Sequence, residues 1–164
     1  MRGTVIALAL AVSACTERTS APPAATGAGI VLGPDSGVGA QICETLPQEE
    51  IAALAGAPVQ PGQVAGPLGS ACAWDFETTG IVLVQVMTPD YWESFANPSD
   101  SRHQELSGIG SEAFVQPGLV SGWSAGALFA DRLVVAEVTG PTSTSGLAEG
   151  VLRGVVGRLV PGGG

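Results

Sequence analysis

Ser124 lies in a stretch that matches a catalytic motif, Gly122-Trp-Ser124-Ala-Gly126. In hydrolases the Gly-x-Ser-x-Gly pattern places a serine nucleophile on a strained turn between a strand and a helix, beside an oxyanion hole. Here the chain continues into Ala-Leu-Phe, which favours a strand. The single histidine, His103, precedes the serine, whereas the hydrolase order needs a histidine after it. We therefore expect Ser124 to be a solvent-facing strand residue without a catalytic role.

Two carboxylates and the histidine are the other candidates for acid–base chemistry. Asp75 and Glu77 flank a predicted hairpin and form a candidate acid pair of the glycosidase kind. That chemistry needs one carboxyl group whose pKa is raised by burial, yet both residues belong to a polar turn. His103 has no partner at ligand or general-base spacing, and we expect it to be exposed in a polar connector. No metal site and no cofactor is predicted, because Cys-x-x-Cys motifs, histidine clusters and Asp-rich calcium loops are all missing from the sequence.

Cys15 carries the clearest chemical signature. It follows a positive Arg2, the short apolar stretch Val5–Val12 and the small residues Ser13-Ala14. Val12-Ser-Ala-Cys15 resembles the bacterial lipobox, whose cysteine is lipidated before the chain is cut just ahead of it. The apolar stretch is too short to span roughly 30 Å of hydrocarbon. We predict a lipoprotein signal peptide over residues 1–14 and lipidation of Cys15, rather than plain secretion or a transmembrane anchor.

Composition limits which partners the protein can bind and indicates its cellular compartment. A formal charge of −9 repels nucleic acid and anionic headgroups, so membrane attachment must come from acyl chains such as palmitate on Cys15. The predicted location is the extracytoplasmic face of the cell membrane, where thiols oxidise. Cys43 and Cys72 are then expected to form a structural disulfide rather than a redox pair or a metal site. Closing a loop of about 30 residues would stabilise the fold by roughly 3.5 kcal/mol.

The chain divides into a tether and one domain. Residues 15–40 are rich in Ser, Thr, Pro, Ala and Gly and are predicted to be a flexible tether. Residues 41–160 should form a single domain, and 161–164 a short tail.

Hydrophobic periodicity predicts an α+β domain. A helix is expected from Pro47 to Gly56, a second from Pro89 to the break at Asn97-Pro98, and a third over 145–159. Strands are expected at 72–76, 81–87, 123–129 and 133–138, and the stretch 108–115 is expected to turn into a further short strand. This order favours an antiparallel sheet of about five strands with helices mainly on one face. The order strand–strand–helix occurs twice, and the sequence does not decide between a pseudo-repeat and a coincidence.

Three tryptophans, Trp74, Trp92 and Trp123, are expected in the core, or in a groove for an apolar ligand or a sugar.

Several short motifs resemble one known family. They are the lipobox at Cys15, a Pro-rich tether, Cys43 before Pro-Gln-Glu-Glu-Ile-Ala-Ala-Leu-Ala-Gly, Cys72-Ala-Trp74, and Gly108-Ile-Gly110-Ser-Glu-Ala-Phe114. Together they are similar to the small actinobacterial lipoproteins that carry domain of unknown function 3558. The resemblance implies an envelope location, the disulfide and an α+β fold, and it implies no catalytic residue.

Three functions remain as hypotheses. The first is a non-enzymatic, lipid-anchored binding or interaction module of the bacterial cell envelope, whose partner is an envelope protein or a small ligand. The second is a small envelope hydrolase that uses Ser124 or the Asp75/Glu77 pair. The third is an accessory subunit of an envelope complex.

Overall fold

The computed structural model describes residues 37–160. The predicted signal peptide, the lipidation site Cys15, most of the tether and the C-terminal tail lie outside these residues.

Four helices and seven strands make up the described domain. The helices are α1 (Val38–Thr45), α2 (Gln48–Ala55), α3 (Trp92–Phe95) and α4 (Ser145–Leu159). The strands are β1 (Gln63–Ala65), β2 (Ala71–Asp75), β3 (Ile81–Met87), β4 (Gln104–Glu105), β5 (Glu112–Pro117), β6 (Trp123–Leu128) and β7 (Leu133–Val138). They form one sheet in the order β1-β2-β3-β7-β6-β5-β4, in which every pair is antiparallel. The predicted α+β class is confirmed.

One face of the sheet, called here the helix face, holds the main core. Alternate residues of each strand point to it, among them Trp74, Val84 and Ala136, and all three are fully buried. Helices α1, α2 and α4 cover these side chains. Gly154 of α4 lies against Leu54 of α2. A Cβ at residue 154 would come 2.6 Å from Leu54 Cδ1, which is too close for contact. The glycine therefore allows the two helices to pack tightly.

Helix α4 has the bounds that its sequence predicts. Thr144 caps the helix, since its hydroxyl accepts a hydrogen bond from the Leu147 N–H at 3.1 Å. Apolar residues recur at the helical period, and six of them are buried: Ala148, Val151, Leu152, Val155, Val156 and Leu159.

The predicted disulfide is present. Cys43 of α1 is bonded to Cys72 of β2, with a Cα–Cα distance of 5.4 Å. The bond joins the first helix to the strand that carries Trp74. Gly62 lies against both groups, because a Cβ there would come 2.6 Å from Trp74 Nε1 and 2.8 Å from Cys72 Sγ.

Two details of the predicted architecture are wrong. The sheet has seven strands rather than five, because β1 and β4 add short edge strands whose two or three residues show no alternation. The domain also begins earlier than residue 41, since α1 starts at Val38 and buries that side chain in the core. Its flanking glycines make this helix look like linker.

The tandem strand–strand–helix pattern is matched by the strands and not by the helices. Hairpins β2–β3 and β6–β7 meet at the β3–β7 pair in the middle of the sheet. Helix α4 covers the helix face, whereas the four-residue α3 lies on the opposite face, called here the back face. Most of the helical cover is thus on one face, as expected.

Candidate functional site

A cleft of about 460 Å³ lies on the back face of the sheet, between α3 and the β4–β5 edge. Its walls come from α3 and its following loop on one side and from β4 and β5 on the other. Its volume falls in the range of small-ligand sites.

The aromatic wall of the cleft depends on a glycine that leaves room for Phe114. The Trp92 and Phe114 rings meet edge to face, with centroids 5.4 Å apart and planes at 61°. Phe114 is fully buried and occupies the space over Gly126 of the neighbouring strand, where a Cβ would lie 2.6 Å from Phe114 Cε1. Trp92 is only half-buried, so its ring remains available from the cleft.

Gln116 fixes the α3 side of the cleft. Its Nε2 donates to the Phe95 carbonyl at 2.6 Å, and its Oε1 accepts the Asn97 N–H at 2.8 Å. These two bonds settle which way the amide points, so His103 Nδ1, 2.9 Å from the same Oε1, must donate. The His103 ring also stacks on Phe114 at 5.8 Å. His103 is half-buried, and the prediction that it is exposed is wrong because the connector folds back onto β5.

Three glutamates line the same cleft, namely Glu93, Glu105 and Glu112. Glu105 is the Cα partner of Phe114, and Glu112 lies two residues before Phe114, so both share its face of the sheet. No described residue forms an ion pair or hydrogen bond with any of the three carboxylates. Neither arginine nor lysine lines the cleft. The cleft therefore combines an aromatic wall with a negative rim.

The three tryptophans occupy different environments. Trp74 is 0% exposed, lies in the main core on the helix face, and does not line the cleft. Trp123 is half-buried against that core at the start of β6. Of the three predicted groove aromatics, Trp92 alone lines the described cleft.

Ser124 does not lie on a strained turn. It is the second residue of β6, on the back face, and is 3% exposed, so the prediction of a solvent-facing serine is wrong. The segment that Gln116 ties down covers this part of the back face. Ser124 Oγ has no hydrogen-bond partner among the described residues. Its strand partners are Gln116 and Glu137, and His103 bonds to Gln116 instead of the serine.

Glu137 is the carboxylate whose environment is most unusual. It stands on β7 between Leu83 and Ser124, its strand partners on the two sides. Burial raises the pKa of the Glu137 carboxyl above its ordinary value, because loss of water disfavours the charged form.

The Asp75/Glu77 pair lies at another place in the domain. Asp75 ends β2 and Glu77 follows in the turn, and both side chains are exposed. The acid of a glycosidase pair must be buried, and both of these side chains face solvent. Within residues 37–160 no three histidine, cysteine or acidic side chains are placed to hold a metal ion. In the same range no helix combines the length and apolarity needed to cross a membrane.

The sequence pointed to Trp92 and missed the rest of the site. Glu105 and Phe114 meet only through the β4–β5 pairing, and a two-residue strand leaves no periodic signal. Comparison with known proteins adds no information about the site residues, because no family model, curated protein or solved structure matches the chain.

Proposed function

We propose that this protein is a lipid-anchored binding module of the bacterial cell envelope, exposed on the extracytoplasmic side of the membrane. The cleft between Trp92 and the β4–β5 edge is its ligand site. The observation that carries the proposal is a preformed cleft with an aromatic wall and unpaired carboxylates.

Binding is favoured over hydrolysis by the way the polar groups are placed. The catalytic proposal for Ser124 needs a base in hydrogen-bond reach of its Oγ, and in the described part of the chain that oxygen has no partner. Asp75 and Glu77 are exposed and do not line the cleft. Gln116 ties the segment after α3 to β5 through hydrogen bonds with backbone. The Trp92 and Phe114 rings of the wall also pack edge to face. Both contacts suit a preformed recognition surface.

The anchoring part of the proposal rests on residues outside the described range. The lipobox-like sequence before Cys15 and the resemblance to the actinobacterial lipoprotein family both support it. The disulfide agrees with an oxidising compartment.

The three tryptophans give this proposal an internal control. In a ¹⁵N-labelled protein the indole N–H of Trp92 reports on the cleft, while Trp74 reports on the core and Trp123 on the start of β6 at the helix face. We expect envelope-derived small molecules that bind to shift the Trp92 signal and leave the Trp74 signal in place. A panel that shifts all three together, or only Trp123, would place binding elsewhere and refute the site.

A second function is favoured by one exposed hairpin. Leu119 is 74% and Val120 98% exposed at the tip between β5 and β6. This apolar tip supports the alternative of an accessory subunit that docks on an envelope protein. Replacing both residues with Ser should leave the unfolding temperature unchanged and should remove any partner that copurifies from native membranes. Retention of the partner by this variant would eliminate the tip as a docking point.

A further inference from the structure

We infer that the cleft recognises a small organic cation that carries two amine groups, with its alkyl stem on Trp92. This inference rests on the proposed binding function and names the ligand class for that site.

The charge of the cleft sets the sign of the ligand. Glu93, Glu105 and Glu112 have no cationic partner among the described residues, and the lining includes no arginine or lysine. Two arginines close in sequence or contact to the 100–112 segment are already paired. Arg102 is held by Asp100, and Arg153 by Glu149. An anionic ligand would be repelled, and a cation would gain partners that the fold leaves open.

The register of β4 and β5 favours two charges over one. Glu105 is opposite Phe114, so Glu112 is its diagonal neighbour across the β4–β5 pair. The backbones of diagonal neighbours are about 7–8 Å apart, so the two side chains can each reach one ammonium group at the ends of a short alkyl chain. A single metal ion does not fit, since no three ligating groups in residues 37–160 converge on one point.

The aromatic wall suits the stem of such a ligand. The half-buried Trp92 ring lies beside these carboxylates and is fixed by its edge contact with Phe114. Methylene groups pack on an indole face, and a cation close to that face gains further attraction. A cleft of about 460 Å³ has room for a ligand of this size.

The test uses the full chain in nonionic detergent, titrated with 1,4-diaminobutane and with 1-aminobutane while the Trp92 indole signal is followed. The diamine should bind roughly 1.5-fold to fivefold more tightly than the monoamine, the range expected for one additional exposed ion pair. Glu105→Gln with Glu112→Gln should remove this advantage.

Glu44→Gln with Glu77→Gln is the matched control, since both side chains are exposed, lie away from the cleft and change the net charge equally. This variant should keep the diamine preference. Equal losses in the two double variants would show attraction by net charge alone and overturn the inference. So would equal affinities for the two amines. If a neutral or anionic compound shifts Trp92 and the diamine does not, the ligand class is wrong and the cleft remains a binding site. If nothing tested shifts Trp92, the site itself fails.

Discussion

Gly126→Ala tests whether the aromatic wall depends on one missing side chain. A Cβ at residue 126 would lie 2.6 Å from Phe114 Cε1 and 2.8 Å from Cζ, closer than van der Waals contact allows. Phe114 is fully buried, with Trp92 at its edge and His103 stacked on it, so the ring can move only by displacing these neighbours in the wall of the cleft. The methyl group must therefore displace the wall of the cleft.

The expected magnitude follows from two opposing effects. Overpacking a buried ring costs about 1–3 kcal/mol, while replacing glycine in a strand interior returns about 0.5–1 kcal/mol of backbone entropy. We expect Gly126→Ala to lower the free energy of unfolding by about 1–2 kcal/mol. Urea unfolding followed by circular dichroism measures the difference, and the Trp92 indole signal should shift in the same variant.

Two further variants make the reasoning refutable. Phe114→Leu removes the atoms that clash, so Gly126→Ala should cost much less in that background than in the native one. Gly157→Ala is the control, because its Cβ would meet nothing within 4 Å in α4 and should stabilise the helix by about 0.5–1 kcal/mol. The reasoning fails if Gly126→Ala is as stable as the native protein, or if its cost is the same with and without the Phe114 ring.

Four other predictions concern the anchor, the disulfide, the core and the back face. Cys15→Ser should yield an unprocessed or released protein, and its full retention in the detergent-extracted membrane fraction would contradict lipidation. Reduction of Cys43–Cys72, which closes a loop of sequence separation 29, should lower stability by roughly 3.5 kcal/mol and the melting temperature by several degrees; equal melting curves with and without reductant would count against it. Trp74→Ala should cost about 3–5 kcal/mol in urea unfolding, since the ring is fully buried, and a loss below 1 kcal/mol would be inconsistent with its place in the core. Burial raises the folded-state pKa of Glu137 above its unfolded value. Protonated Glu137 therefore stabilises the folded state relative to the ionised form, and this stability is present at acid pH and is lost as pH rises through the folded pKa. Glu137→Gln should therefore raise stability at neutral pH and have little effect below about pH 4, and a stabilisation independent of pH would argue against desolvation as the cause.

The elements that could be predicted are those with a strong local signal. Helix α4 has a capping threonine and an apolar stripe over four turns, and its predicted and observed bounds agree. Hairpin β2–β3 alternates cleanly and turns at Gly80, whose φ of 112° favours glycine. Helix α1 was missed because Gly37 and Gly39 on either side of Val38 weaken the helical pattern that Ile42 and Leu46 continue.

The site was less predictable because long-range pairing creates it. Trp92 could be singled out as an aromatic residue, but its contact with Phe114 depends on how the connector crosses the sheet. The burial of Ser124 has the same origin, since Gln116 ties that connector over the back face. Neither contact is encoded in a window of neighbouring residues.

The disulfide also determines how the domain would respond to mechanical tension. A pull on its amino-terminal end reaches Cys43 after a few residues of α1 and passes through the sulfur bridge to β2. Residues 44–71, which include α2 and β1, are bypassed by that force. Strand β2 is hydrogen-bonded to β1 and β3, so two ladders hold the strand at which the force arrives. The cleft stands at the opposite edge of the sheet, and β3, β7 and β6 separate it from that strand.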